Sequence, residues 1–500
     1  MTAYDQLISL LERVHVLGTV SGLLGWDEQV NLPPDSADLR GRQMALLAEL
    51  QHAAASDPKI GECLQTLERE LATTPAGELS PDRAVVLREA RRDYDRVTKL
   101  PREFVAERAR LSSEAYHAWA HARGENDFPA FRPYLEKQLE FAKREADYLG
   151  WGESPYDYAI DKHDPGVTAA RIEELFAALR TGLVPLVRRI AGAAEGVQRV
   201  VLRGCSTEQQ QLLLREVTEQ LGFNYRRGRI DVSLHPFCEG VGADVRMTTR
   251  FDPDDPLSAL FSAIHETGHG LYEQGLPLDL QGTPLGQNAG MAVHESQSRL
   301  WENQVARSRA FWRYFEPRLR ERFPEATRGV DSDALYREIN AVRPTFIRVD
   351  ADEVHYNLHI ILRFELERRL FSGQLSVAEL PEAWAAMSVE LFGSAPPDDR
   401  RGVLQDIHWS GGAFGYFPSY CLGNMMAAQL WATVRRQIPD LEADFEKGEF
   451  GRLLGWLRET IHAQGRRYGL LELVERVTGE PLSPSSLLAY LEDRYGAIYR

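Results

Sequence analysis

Apolar residues recur three and four positions apart along most of this chain, the spacing that lines one face of a helix. Leu7, Leu11, Val14 and Leu17 open the first such run, and Asn31-Leu-Pro-Pro-Asp-Ser breaks it. A second helix is predicted over 40–54 through Met44, Leu46, Leu47 and Leu50. Ser80-Pro81 and Pro101 open two more, and others follow over 131–149, 169–190 and 207–221. After Gly222 the period changes. Residues 229–234 (Arg-Ile-Asp-Val-Ser-Leu) and 245–251 (Val-Arg-Met-Thr-Thr-Arg-Phe) alternate and are β-branched, which predicts a small antiparallel hairpin. Its exposed edge suits either of two roles: pairing with an extended peptide, or capping the helices. Helical spacing then returns over 257–271, 291–307, 353–370, 420–436, 451–464 and 483–495, with an extended piece at 346–352. Residues 410–420 are rich in glycine and aromatics and read as an irregular loop, the composition of a site wall.

The helix after the hairpin carries the chemistry. Asp255 and Pro256 suit an N-cap and a first helical position, and Leu257, Leu260, Phe261, Ile264, Gly268 and Leu271 make its apolar stripe. Gly275 and Pro277 end it. Within it stands His265-Glu266-Thr-Gly-His269, an H-E-x-x-H. Histidines four apart lie one turn from each other on one helix side, so both imidazoles reach one zinc ion, and Glu266 reaches a water held there. A third ligand is needed. Glu273 lies eight residues from His265, about 12 Å along the axis, too far to share the ion. Glu295 and Glu302, both in the helical run over 291–307, are the candidates, with Glu295 favoured by position.

Composition narrows the classes. The net charge of −16 argues against nucleic acid or an anionic membrane as partner, since either requires a basic patch. No basic region precedes an apolar run at the start, and no unbroken apolar run approaches a membrane span, so a cytoplasmic protein is expected. Cys63, Cys205, Cys238 and Cys421 are scattered and form no C-x-x-C pair, which predicts reduced, structural thiols. With neither internal repeat nor linker, residues 1–500 are expected to be one domain, helical to about 222 and catalytic from about 223.

Seven ordered segments carry a family resemblance: Trp26-Asp27 with Pro33, His235-Pro236-Phe237, 244–249 (Asp-Val-Arg-Met-Thr-Thr), His265-Glu266-Thr-Gly-His269, His294-Glu295-Ser296-Gln297-Ser298, Ile347-Arg348-Val-Asp-Ala351-Asp352, and 402–409 (Gly-Val-Leu-Gln-Asp-Ile-His-Trp). Together they resemble the carboxypeptidase Taq family of zinc metallocarboxypeptidases over nearly the whole chain. The resemblance implies a mainly α-helical zincin fold related to neurolysin and angiotensin-converting enzyme, with a small β-hairpin or sheet beside a deep groove. It also implies a homodimer that releases single C-terminal amino acids from peptides with broad specificity. It places the third ligand in the His-Glu-Ser segment, which selects Glu295.

The expected site then has Zn²⁺ (or Co²⁺ as substitute) on His265, His269 and Glu295, with Glu266 as general base. His408 and Tyr420, with Tyr416 as alternative, are expected to donate to the oxyanion, because their segment resembles the wall that does so in related helical zinc peptidases. An exopeptidase must also bind the free α-carboxylate, and Arg348 and Arg401 are the candidates because a guanidinium fork matches both oxygens. The rival activities are an endo-oligopeptidase on the same scaffold, which needs no carboxylate clamp, and a helical binding protein with a structural metal.

Overall fold

In the computed structural model, residues 2–73, 80–194 and 199–499 are described. The chain starts with helices α1 (Ala3–Val30), α2 (Ala37–Ala55), α3 (Pro58–Thr73) and α4 (Pro81–Thr98). Leu7, Ile60, Cys63, Leu64, Leu67, Leu87 and Ala90 from α1, α3 and α4 bury one another in a cluster separate from the main core. By length and composition alone α1 is long and apolar enough to cross a membrane, which the unbroken-run criterion missed because Glu12, Arg13 and His15 interrupt its apolar residues. It packs along α2, α3 and the sheet described below.

Helices α5 (Arg102–Glu125), α6 (Phe128–Tyr148), α7 (Pro155–Asp161), α8 (Ala169–Ala194) and α9 (Thr207–Leu221) lead to a three-stranded sheet. Its strands are β1 (Gly228–Val232), β2 (Cys238–Val241) and β3 (Asp244–Thr249), in the order β1-β3-β2. The two stretches expected as an antiparallel hairpin are therefore β1 and β3, and they pair in parallel, Gly228 against Val245 and Val232 against Thr249. The reason is the connection between them. It holds a strand of its own, β2, too short and glycine-interrupted for alternation to show, which takes the antiparallel position on the far side of β3. Parallel neighbours require such a crossover.

The rest is helical: α10 (Pro256–Gly275), α11 (Met291–Arg299), α12 (Arg309–Arg322), α13 (Ser332–Ile339), α14 (Glu353–Phe371), α15 (Leu380–Phe392), α16 (Phe417–Gln437), α17 (Leu441–Phe445), α18 (Gly451–Thr460), α19 (Leu470–Thr478) and α20 (Ser485–Ile498). Helices α14 and α16 are buried on almost every side and form the middle of the main core with Trp301, Phe311, Phe315 and Phe364. Such all-round burial erases the one-faced pattern of a surface helix. The expected helix over 291–307 is real but changes winding: after Arg299 it continues as a π-helix, Leu300–Ala306. Tyr420 lies inside α16, so the irregular wall ends at Tyr416 rather than at Tyr420.

Candidate active site

Helix α10 begins as its residues predict, the Asp255 carboxylate accepting from the Ser258 N–H at 3.1 Å with Pro256 in the first turn. Helix α11 has no side-chain cap on its own residue Gly290. The buried Asp164 supplies one from outside, accepting from the Ala292 N–H at 2.7 Å and from the Ser419 hydroxyl at 2.6 Å. Burial pushes the Asp164 carboxyl up to about 6. One side chain thus fixes the start of α11 against α16.

Between α10 and α11 there is no room for a side chain at Gly268. A Cβ there would lie 2.5 Å from the Ser298 Cα and 2.6 Å from the Gln297 carbonyl oxygen. On the other side of α11, a Cβ on Gly423 of α16 would lie 2.8 Å from both Cβ and Cγ of Glu295. Two glycines from distant helices therefore let the Glu295 backbone approach the two histidines.

The result is a three-ligand cluster. Glu295 Oε2 lies 3.6 Å from His265 Nε2 and 3.5 Å from His269 Nε2, and all three ligand atoms fall within 4.8 Å of one another. Tetrahedral zinc, with ligands at about 2.0–2.2 Å, spaces them about 3.3–3.6 Å apart. The donor set and its spacing fit the metal. Glu302, the rival ligand, orients a histidine instead. Its Oε2 pairs with His265 Nδ1 at 3.0 Å, leaving Nε2 for the ion. The π-helix sets Glu302 in that register. Carbonyls freed by the wider winding are met by Arg494, which donates to Asn303 at 2.6 Å and Gln304 at 3.3 Å.

His269 is oriented by a relay. Its Nδ1 lies 2.6 Å from His294 Nδ1, and His294 Nε2 lies 2.9 Å from Glu273 Oε1. Burial pushes the His269 pKa down to about 3, which keeps its imidazole neutral, as a metal ligand must be. Arg299 donates to Glu295 Oε1 at 2.6 Å and so turns Oε2 toward the histidines. Burial, above all other causes, pushes Glu266 up to about 7, with His265 lowering it and Glu295 raising it.

The irregular wall lies beside this cluster. His408, in a 3₁₀ turn over His408–Gly411, packs at a tilt against Tyr416 and Phe417, at ring centroid distances of 5.3 and 4.6 Å. Its Nε2 is 3.5 Å from the Tyr420 hydroxyl, and its Nδ1 is buried without a hydrogen-bond partner among the described residues. Burial pushes the His408 pKa down to about 4, so the ring is a neutral donor. Burial raises the pKa of both Tyr416 and Tyr420, and the nearby Glu295 carboxylate adds to it, so both phenols stay protonated beside the cluster.

Arg348 and Arg401 are placed very differently. Arg348 is buried, its Nε and Nη2 donating to Asp406 at 3.0 and 2.9 Å and its Nη1 to the Tyr356 hydroxyl at 3.0 Å. It lies 5.1 Å from the centroid of the Tyr420 ring. Arg401 is on an exposed turn, paired with Asp398. A groove of about 670 Å³ lies between α1, α4 and the catalytic part; Glu273, Asn288 and Met291 line it, and none of the three ligands does.

The chain matches the profile of the Carboxypeptidase Taq (M32) metallopeptidase family over residues 6–495. It belongs to that family. It is 42% identical to thermostable carboxypeptidase 1 of Thermus thermophilus over 510 aligned positions, covering 99% of each chain. Carboxypeptidase 1 of Bacillus subtilis is 36% identical, with 100% of this chain and 99% of the relative covered. The crystal structure of an M32 carboxypeptidase from Deinococcus radiodurans R1 matches at a TM-score of 0.95, with 42% identity and 99% of each chain covered.

As a carboxypeptidase Taq family member the chain is a metallocarboxypeptidase, and its His265, His269 and Glu295 form a cluster consistent with the family's zinc site. Sequence reasoning missed the residues that orient these ligands, Glu302, His294 and Glu273. The signals were present: Glu273 and Glu302 stand near enough to be weighed as ligands, and His294 stands directly before Glu295. His294→Phe removes the partner of His269 Nδ1 and is expected to weaken zinc binding about 10- to 100-fold, as losses of such partners do. Competition against a chelating dye measures it; unchanged affinity would show that the relay does not orient the ligand.

Proposed function

We propose that this chain releases amino acids one at a time from the free C-terminus of peptides, with broad specificity and with zinc, or cobalt in its place, on His265, His269 and Glu295. The observation that carries this reading is a carboxylate, Glu266, beside a cluster of His265, His269 and Glu295, the three protein ligands that a catalytic zinc site would use. Zinc held there acts as a Lewis acid and lowers the pKa of water to about 7.

Glu266 takes a proton from the attacking water as its oxygen bonds to the scissile carbonyl carbon. It returns that proton to the amine as the C–N bond breaks. The Tyr420 hydroxyl and the neutral His408 ring are our donors to the oxyanion, with Tyr416 as the alternative; their packing on one another and the nearness of Glu295 to both phenols support the assignment. For the substrate carboxylate, Arg348 is the stronger choice, since its position under Tyr420 ties it to that wall while Arg401 lies on an exposed turn; each already holds an aspartate, Asp406 and Asp398. The peptide main chain lies along β2, an edge strand that, among the described residues, pairs with no strand on the side away from β3, although the Gly240 N–H donates to the Glu239 carboxylate. In this reading the helical part to about residue 222 walls the groove, and the remainder of the single domain holds the chemistry. Four free cysteines support a reducing, cytoplasmic setting.

Mass spectrometry of a short peptide and its C-terminal amide tests the activity. Stepwise loss of single residues from the free acid, with the amide untouched, is the expected result. Internal cuts in both would make the enzyme an endo-oligopeptidase. The homodimer belongs to the same reading, and sedimentation at about twice the chain mass of 56.6 kDa is expected; a species at the single-chain mass would remove it.

A further inference from the structure

Glu239, at the wall of the groove, is a carboxylate with no cation paired to it among the described residues. It sits in the middle of β2 opposite Arg246 of β3, a pairing that puts both side chains on the sheet face turned toward α1. That arginine is committed elsewhere: its Nε and Nη2 hold Asp244 at 3.0 and 2.9 Å, and its guanidinium lies 4.3 Å from the centroid of the Trp26 ring. Arg229, its cross-strand neighbour at 5.0 Å from the same ring centroid, is likewise held by Asp231. The cations of the groove itself, Arg92, Arg96, Lys162 and Arg466, are bound to Glu89, Asp161, Glu145 and Asp93. His15 faces this stretch from α1, and burial lowers its pKa, so it brings no charge near neutrality.

Nothing basic among the described residues therefore answers Glu239, while Glu273 adds charge of the same sign. Burial of Glu239, then the Glu273 carboxylate, raises its pKa, and the Gly240 N–H that donates to it lowers it. Helix α1 leaves a gap at this point, because Gly22 has no side chain where the Glu239 carboxylate approaches. The carboxylate borders both the main groove and a smaller one of about 360 Å³ that continues it between α1 and β2, walled by Val16, Val20 and Trp26.

We propose that Glu239 sets a subsite for a cationic side chain, lysine or arginine, on the substrate residue that seats beside it along the free edge of β2. The inference rests on the carboxypeptidase reading and on the docking of the peptide on that edge. A residue paired next to Glu239 on the edge presents its side chain on the same sheet face, within reach of the carboxylate. The apolar wall formed by Val16, Val20 and Trp26 suits the methylene stem of such a side chain, which lies along apolar surface while its charge stays at the carboxylate.

The experiment is a scan with the zinc-loaded enzyme. Peptides with one C-terminal residue in common carry lysine, norleucine or glutamate at each successive upstream position, and kcat/KM is measured for wild type, Glu239→Gln and Glu239→Lys. At one position wild type is expected to favour lysine over norleucine by about three- to fivefold, as cross-strand charge pairs do. The preference shrinks as salt is raised. It disappears in Glu239→Gln and turns toward glutamate in Glu239→Lys. Ratios between peptides are read on the same active protein, so a loss of folded enzyme does not imitate the effect. A wild-type ratio near one at every position, or the same lysine preference in Glu239→Gln, overturns the subsite and leaves the carboxypeptidase reading standing. Absence of cleavage of any peptide by wild type overturns both.

Discussion

Glu266→Gln is expected to keep its zinc and to lose about 10²–10⁴-fold in kcat. The amide matches the carboxylate in shape, and Glu266 is itself outside the ligand cluster, so the metal should remain with its affinity little changed. What is lost is a group that takes a proton from water and passes it to the amine. Because that transfer belongs to the transition state, kcat and kcat/KM should fall together while KM stays near the wild-type value. Steady-state kinetics beside a zinc determination by mass spectrometry checks it. A zinc-loaded variant that retains more than about a tenth of the activity would take the proton-transfer role from Glu266.

The second large effect is expected from a single methyl group. In Gly268→Ala the new Cβ falls 2.5 Å from the Ser298 Cα and 2.6 Å from the Gln297 carbonyl oxygen, both backbone atoms that no rotamer change can move. Helices α10 and α11 must separate, which costs about 1–3 kcal/mol in stability as overpacked sites do. Because α10 carries His265 and His269 and α11 carries Glu295, the same displacement opens the ligand triangle. A shift near 1 Å lowers activity about 10²-fold. Chemical denaturation of the zinc-free protein and zinc titration of the folded protein separate the two losses. Wild-type values in both would show that the helix approach does not depend on this glycine. Gly423→Ala pushes on Glu295 from the opposite side, where the two nearest contacts are side-chain atoms and the Ala292 carbonyl oxygen lies at 3.1 Å, so zinc affinity should suffer more than stability.

Glu266 and Gly268 differ in how far their roles are visible along the chain. Glu266 stands in an i, i+4 pattern that names its own neighbours, with a cap and a terminator that the structure reproduces. Gly268 reads as one more member of an apolar stripe; only its neighbour in space, α11, reveals why it carries no side chain. Glu302 shows the same limit. Its distance along the chain makes it a rival to Glu295, but the π-helix rotates it to the far nitrogen of His265, where it orients the ring instead of binding the ion. The direction of β1 against β3 is hidden for a related reason: alternation reports that residues are extended and half-buried, and it is silent on whether the partner runs parallel. Arg348 and Arg401 read alike in sequence, and burial against Asp406 and Tyr420 sets one apart from the other.

The sequence by itself determined the helical class, the metal helix with its two histidines and general base, and, through seven ordered motifs, the family. Those features are written in contiguous residues whose spacing matches the period of a helix, so no folded chain is needed to see them. Only the tertiary structure decided the direction of the strands, the relay from His269 to Glu273, the orienting role of Glu302 and the isolation of Glu239. Each depends on which side chains packing brings together from distant segments, and on which of them already hold a partner.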